Sequence, residues 1–165
     1  MVLKLQPLTA EGFKTFGDVI AAPKTKPTAT PPGMEFWADV SRLPLLDRPF
    51  GIGYATQEVR PFRQTGAERH MKTPELLLPV KGDMAVIVGP ADFPKEPNRL
   101  PPLSEFSAFL VPEGQGVMFA PGVWHWAPFA VRKPIGIFVI YATGTAESDG
   151  VVVDFPKGEA LEFTP

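Results

Sequence analysis

Residues 104–142 read Ser104-Glu-Phe-Ser-Ala-Phe-Leu-Val-Pro-Glu-Gly-Gln-Gly-Val-Met-Phe-Ala-Pro-Gly-Val-Trp-His-Trp-Ala-Pro-Phe-Ala-Val-Arg-Lys-Pro-Ile-Gly-Ile-Phe-Val-Ile-Tyr-Ala142. Four runs rich in β-branched and aromatic residues stand out: 104–111, 115–119, 123–131 and 135–142. Pro or Gly interrupts the chain between each pair, at Pro112-Glu113-Gly114, Ala120-Pro121-Gly122 and Arg132-Lys133-Pro134. Such runs fit a pleated, half-buried surface, and such breaks fit turns. The last run has almost no polar residue, and its pattern predicts burial on both faces.

The same pattern extends upstream through 50–56, 58–64, 76–80 and 84–88, and downstream through 151–155. Many short strands at close spacing predict an all-β sandwich or barrel. Composition agrees. The chain has 165 residues with 21 Pro and 15 Gly, so long helices and bundles are excluded. Its 47 Leu, Ile, Val and Phe residues are enough for a packed core. One helix is expected between Leu8 and Ile20, capped by Thr9, with Phe13 and Phe16 on one face and Gly17 as its stop. Residues 21–35 form a Pro- and Thr-rich connection, readable as disordered, as a wrapping arm or as a flap over a site. The reading is one domain over residues 1–165.

Charge and targeting narrow the class. Sixteen basic and eighteen acidic residues, with no long run of either sign, give no electrostatic footprint for nucleic acid or a membrane surface. The absence of Cys excludes disulfides, thiolate metal sites and Cys nucleophiles. With no signal-like or membrane-spanning stretch, a cytoplasmic location is expected.

Only two His occur, His70 and His125. Glu68 and His70 are two apart and leave the same face of a strand. Glu75 joins them if the chain turns at Lys72-Thr73-Pro74. His125 follows the Pro121-Gly122 turn on a later strand. Two imidazoles with carboxylates suit a divalent metal. A His between Trp124 and Trp126 equally suits a packed core position, and Glu68-Arg69-His70 equally suits a charged surface strand. Trp124, Trp126 and Phe129 read as an aromatic belt that lines the mouth or packs an interface, and parity puts both Trp opposite His125, favouring core or dimer packing. No Gly-x-Ser-x-Gly elbow occurs, and Gly114-Gln115-Gly116 reads as a turn rather than a nucleotide fingerprint.

These segments resemble a known superfamily. Glu68-x-His70-x4-Glu75-x6-Gly82 is similar to the first cupin motif, with Glu68 in place of its first His. Pro121-Gly122-Val123-Trp124-His125 is similar to the second, without the Asn that usually follows. Within the cupins the chain most resembles the ureidoglycolate lyase family. The likeness runs through Pro7-Leu8-Thr9-Ala10-Glu11-Gly12-Phe13, Phe16-Gly17-Asp18-Val19-Ile20, Glu68-Arg69-His70, Gly114-Gln115-Gly116-Val117 and Gly122-Val123-Trp124-His125. It departs at Glu75, where the family tends to have Gln, and at Phe119-Ala120-Pro121. The family's Asn- and Arg-containing segment also has no clear counterpart near residues 30–43.

The resemblance implies a cupin double-stranded β-helix, a jelly-roll barrel with a short N-terminal helix. It also implies a divalent metal on His70, Glu75 and His125, and cleavage of ureidoglycolate, a small carboxylate, to glyoxylate and urea. Glu68, His70 and His125 are then the catalytic candidates, with Glu68 either a fourth ligand or the general base. Lys72 or Lys81 is a candidate proton donor, although both read first as exposed charge. Arg60, Arg63 and Arg69 are candidate carboxylate partners, with Arg69 facing away by parity. Alternatives are another metal cupin enzyme, such as a dioxygenase or isomerase, or a non-enzymatic small-molecule binder. Open sheet edges lead us to expect a homodimer.

Overall fold

The computed structural model describes residues 1–165, and strands carry almost all of its regular structure. The chain begins with β1 (Val2–Pro7), the single-turn helix α1 (Ala10–Phe13) and β2 (Gly17–Ile20). After a long exposed connection come β3 (Phe50–Gln57), β4 (Arg63–Gln64), β5 (Gly66–His70), β6 (Glu75–Lys81) and β7 (Met84–Val88). The second half contains β8 (Ser107–Val111), β9 (Gly116–Phe119), β10 (Phe129–Ala130) and β11 (Ile135–Ala142). It closes with α2 (Thr145–Ser148), β12 (Gly150–Asp154) and β13 (Leu161–Thr164).

The strands form a six-stranded sheet in the order β10-β7-β8-β1-β13-β4 and a five-stranded sheet in the order β2-β9-β6-β11-β3. A ribbon of β5 and β12 completes the set. The residues of β7, Met-Ala-Val-Ile-Val, show why the sheets stack. Met84, Val86 and Val88 belong to a core shared with Leu77, Val117 and Ile137 of the five-stranded sheet. Ala85 and Ile87 point the other way, into a second core with Trp124, Phe129, Phe155 and Phe163. A strand covered on both faces needs no polar alternation, and all five residues are buried. The result is a barrel of curled sheets with an apolar filling.

The expected helix is much shorter than 8–20. Thr9 does cap it, accepting a hydrogen bond from the Gly12 amide at 3.0 Å. Phe13 and Phe16 are both buried against Phe109, at ring distances of 5.2 and 5.8 Å. One turn suffices to place them, and each such burial stabilises by roughly 1.5–3 kcal/mol. At Gly17 the backbone takes φ +141°, and residues 17–20 leave as a strand paired with β9. Helical spacing of the two Phe was therefore a packing signal, not a sign of helix length.

Other differences have equally local causes. Residues 123–131 are not one strand, because only isolated bridges at Trp124 and His125 precede β10. Of 58–64 only Arg63–Gln64 pairs. Ser104 and Glu105 lie in a 3-10 turn (Leu103–Glu105) and Phe106 caps it, so β8 starts only at Ser107. Strands β1 and β13 were not expected; they pair with each other in parallel. β11 has the expected bounds, yet its outer face is not covered: Phe138 is 38% exposed. The 21–35 segment contributes no residue to the cavity described below. It lies along the outside, with a bridge between Ala29 and Phe36. No helix is long and apolar enough to cross a membrane.

Candidate active site

His70 is the last residue of β5 and Glu75 the first of β6, so the turn Met71–Pro74 sets the distance between them. His125 reaches the same place from the other motif. Its backbone pairs with Glu68 through hydrogen bonds of 2.7 and 2.8 Å, and the Gly122 amide donates to the His70 carbonyl at 2.6 Å. Gly122, at φ +84°, supplies the left-handed turn that this return requires. Backbone bonds thus bolt the two motifs together, and ligand atoms of His70, Glu75 and His125 all lie within 4.8 Å of one another. Phe119 stacks on the His125 ring, with centroids 4.6 Å apart.

Hydrogen bonding assigns the tautomers. His70 Nδ1 faces the Asp149 carbonyl at 3.3 Å, and His125 Nδ1 faces the Val123 carbonyl at 2.9 Å. A carbonyl oxygen only accepts, so each Nδ1 carries a proton and donates it. Each Nε2 then presents a lone pair toward the Glu75 carboxylate, at 3.0 Å for His70 and 3.6 Å for His125. The second distance is too long for a hydrogen bond, and buried His125 Nε2 has no partner. Three electron-pair donors converge where nothing in the chain donates back without an extra proton. A divalent cation fits that donor set, and the residues present suit it.

The electrostatics point the same way. Burial alone would push the Glu75 carboxyl up, but the facing His125 and His70 imidazoles outweigh it and hold it at about 2. Burial would lower His70, but its bond to Glu75 and the negative charges of Glu75 and Glu68 raise it above its ordinary value. The cluster attracts positive charge, whether as a proton or as a metal.

The cluster opens onto a cavity of about 350 Å³. Glu68, half-buried, lines it beside His70 and Glu75, as strand parity predicts, but stays outside the three-residue ligand cluster. Trp124 is buried, as expected, with the Arg69 guanidinium 4.3 Å from its ring centre. Trp126 does not share that fate: it lines the cavity, because the chain there is not a regular strand and parity does not carry.

No Lys or Arg lines the cavity. Arg60 donates to the Ala127 carbonyl at 2.8 Å and lies over Phe129, while Arg63 pairs with Glu162 at 3.3 Å. Arg69 faces away from the cavity, as parity requires, and is fully buried. It donates to the carbonyls of Asp92, Phe93, Glu96 and Pro97 in the Pro-rich segment 90–102. Lys72 lines a separate small polar pocket with Arg48 and Asp149, and Lys81 is exposed. Neither lysine reaches the cavity wall.

The structure adds residues that the sequence did not single out. Asp149 is buried, and its carboxylate accepts from the Met71 and Lys72 amides at 3.1 and 2.8 Å. Tyr141 lies beside His70, with ring centres 6.2 Å apart, and Gln57 is at the cavity's far side. Only their places in the fold mark these residues; Asp149 stands in a polar turn that reads as an ordinary loop.

A curled, mostly antiparallel barrel with two motifs hydrogen-bonded face to face, presenting an inward His–Glu–His set, defines a cupin. The family model described as ureidoglycolate lyase matches residues 1–160. The chain belongs to the ureidoglycolate lyase family, and it is accordingly a lyase. It is 28% identical to a ureidoglycolate lyase of Escherichia coli O1:K1 / APEC, over 96% of this chain and 98% of the relative. It is 29% identical to one from Burkholderia cepacia, over 99% and 92%. Among solved structures it is similar to the sugar 3,4-ketoisomerase QdtA of Thermoanaerobacterium thermosaccharolyticum in complex with TDP. That match has TM-score 0.46 and 16% identity, covering 61% of this chain and 64% of QdtA. It is also similar to Bacillus subtilis oxalate decarboxylase, a protein with Mn(II) centres, at TM-score 0.43 and 14% identity. This match covers 63% of this chain and 24% of the decarboxylase.

Proposed function

We propose that the protein cleaves the C–N bond of ureidoglycolate, giving glyoxylate and urea, with a divalent metal held by His70, Glu75 and His125. The observation that carries the reading is the convergence of three buried electron-pair donors beside a cavity that also holds a separate carboxylate, Glu68. When bound, the metal supplies Lewis acidity, lowering the substrate hydroxyl's pKa and offsetting charge in a cavity without Lys or Arg.

The chain's own part is proton transfer and orientation. Glu68 takes the hydroxyl proton; the O–H electron pair becomes the C=O bond of glyoxylate as the C–N bond breaks. The departing nitrogen receives that proton, so Glu68 returns to its starting state and no co-reactant is consumed. The Asp149 and Val123 carbonyls keep both imidazoles in the tautomer that turns Nε2 inward.

Metal analysis of the purified protein, with parallel assays of urea and glyoxylate, tests the reading. About one divalent ion per chain and equimolar products are expected. Glu68→Gln keeps the metal and loses roughly 10²–10⁴-fold in kcat. Oxygen uptake with bound iron, and no urea, would replace the lyase reading with an oxygenase one, since two His and a carboxylate also suit non-haem iron.

As partner we infer a second copy of the chain. β3 ends its sheet with one edge unpaired, and neither β3 nor its neighbour β11 carries a charged residue. Ile52, Tyr54 and Phe138 stand exposed on their outer face, at 73%, 58% and 38%. Free edges are normally blunted by charge, Pro or a cover. A strand that meets its own copy antiparallel across a two-fold axis satisfies both the edge and the apolar face.

A further inference from the structure

The cavity holds its ionisable side chains at one end. Along the inner face of the five-stranded sheet, the Glu75 end of β6 lies beside the Tyr141 end of β11, one step beyond the Leu76–Ile140 pair. The next inward residues are Leu77 and Val139, which pair with each other, and then Ile137, which pairs with Ala55 of β3. Each two-residue step moves about 6.8 Å from the ligand cluster. On the opposite ribbon, Val152 pairs with Glu68 and faces the same cavity. Beyond the ligand end the five-stranded sheet's side of the wall is therefore hydrocarbon over two strand steps, with Gln57 its next polar side chain and Glu68 facing it from the ribbon one step from His70.

This wall does not match the ureido group. Ureidoglycolate bears its carboxylate and hydroxyl on one carbon, and these suit the ligand end. Its other half is a urea, a dense set of N–H donors and one carbonyl. Against Val139, Ile137, Ala55 and Val152 those groups would lose water and gain few partners. The volume disagrees as well. Cavities of roughly 300–1,000 Å³ hold drug-sized ligands, and about 350 Å³ leaves much of this one unfilled by so small an acid. The small side chain of Ala55 keeps the far part open.

Resting on the lyase reading above, we infer that the preferred substrate is a larger carbinolamide: a 2-hydroxy acid whose amide nitrogen carries an acyl group with an apolar tail. The polar head occupies the Glu68–His70–Glu75 end, and the tail lies along Val139, Ile137 and Ala55. The reaction balances as before. The hydroxyl proton passes by way of Glu68 to the nitrogen, the C–N bond breaks, and glyoxylate and a primary amide leave.

Ureidoglycolate and N-benzoyl-2-hydroxyglycine both yield glyoxylate, so one assay on the metal-loaded full chain compares them. The benzoyl compound is expected to have a kcat/KM at least about tenfold higher, from burial of its ring. Benzamide should bind more tightly than urea to the metal-loaded chain in titration calorimetry, a readout that does not depend on turnover. Ala55→Phe should lower that preference at least about tenfold by filling the tail's place. Retention of the Ala55→Phe variant's near-UV circular dichroism checks that it folds. Equal or better efficiency with ureidoglycolate overturns the apolar-tail inference and leaves the lyase reading intact. Glyoxylate from neither compound overturns the lyase reading itself.

Discussion

Asp149 holds the site from both of its ends. Its carboxylate pins the Met71 and Lys72 amides, which span the turn between His70 and Glu75, and its own carbonyl orients the His70 ring. Removing the carboxylate leaves two amides without acceptors and loosens the spacing of two ligands at once. We expect Asp149→Ala to lower metal affinity by roughly 10–100-fold, measured by chelator competition. Asp149→Asn, which keeps one acceptor oxygen, should recover part of that loss. That His70, Glu75 and His125 come together was legible in the sequence because two motifs with fixed offsets carry them. Asp149 was not, because its partners lie 77 and 78 residues away in a turn that looks solvent-facing. For Trp126 the mouth reading fits and the parity preference does not, for a related reason: parity holds only along a regular strand, and bridges are not strands.

At the scale of elements, Gly17 is the point where α1 becomes β2. A Cβ there would collide with the Met118 carbonyl oxygen of the neighbouring strand, and the φ of +141° is one that L side chains rarely adopt. Gly17→Ala should therefore destabilise by roughly 2–4 kcal/mol in urea denaturation, because backbone rather than a flexible side chain must move. Interior strands such as β7 and β11 were readable with their bounds, since burial writes long apolar runs. β2 was hidden because Gly-Asp-Val-Ile follows two Phe at helical spacing. β13 is only four residues long, and β1 gains its stability from distant neighbours, β8 and β13, rather than from its own sequence. Tertiary pairing overrode local preference at each of these places.

For the molecule as a whole, the sequence signalled a barrel and the superfamily's motifs, but not which surface is left uncovered. The outer face of β3 and β11 answers that. Light scattering after gel filtration should give twice the chain mass of 18.0 kDa. The pair Ile52→Lys with Tyr54→Lys should give the single-chain mass with unchanged circular dichroism, because charge on a free edge opposes strand addition. A single-chain mass for the unaltered protein would remove the dimer from the account.

The Arg69 anchor has a consequence for how the chain finds its pairing. Glu68, Arg69 and His70 alternate sides, so sliding β5 by one residue against β12 would exchange the faces. The guanidinium would enter the cavity, and the acid and imidazole would be driven into the apolar side against Trp124, stripped of partners. A slip of β7 trades one apolar residue for another, but here it strands three ionisable groups together. One buried cation, bonded to four carbonyls of a proline-stiffened segment, thus works as a key that turns in a single register and guards the alignment of Glu68 and His70 beside it.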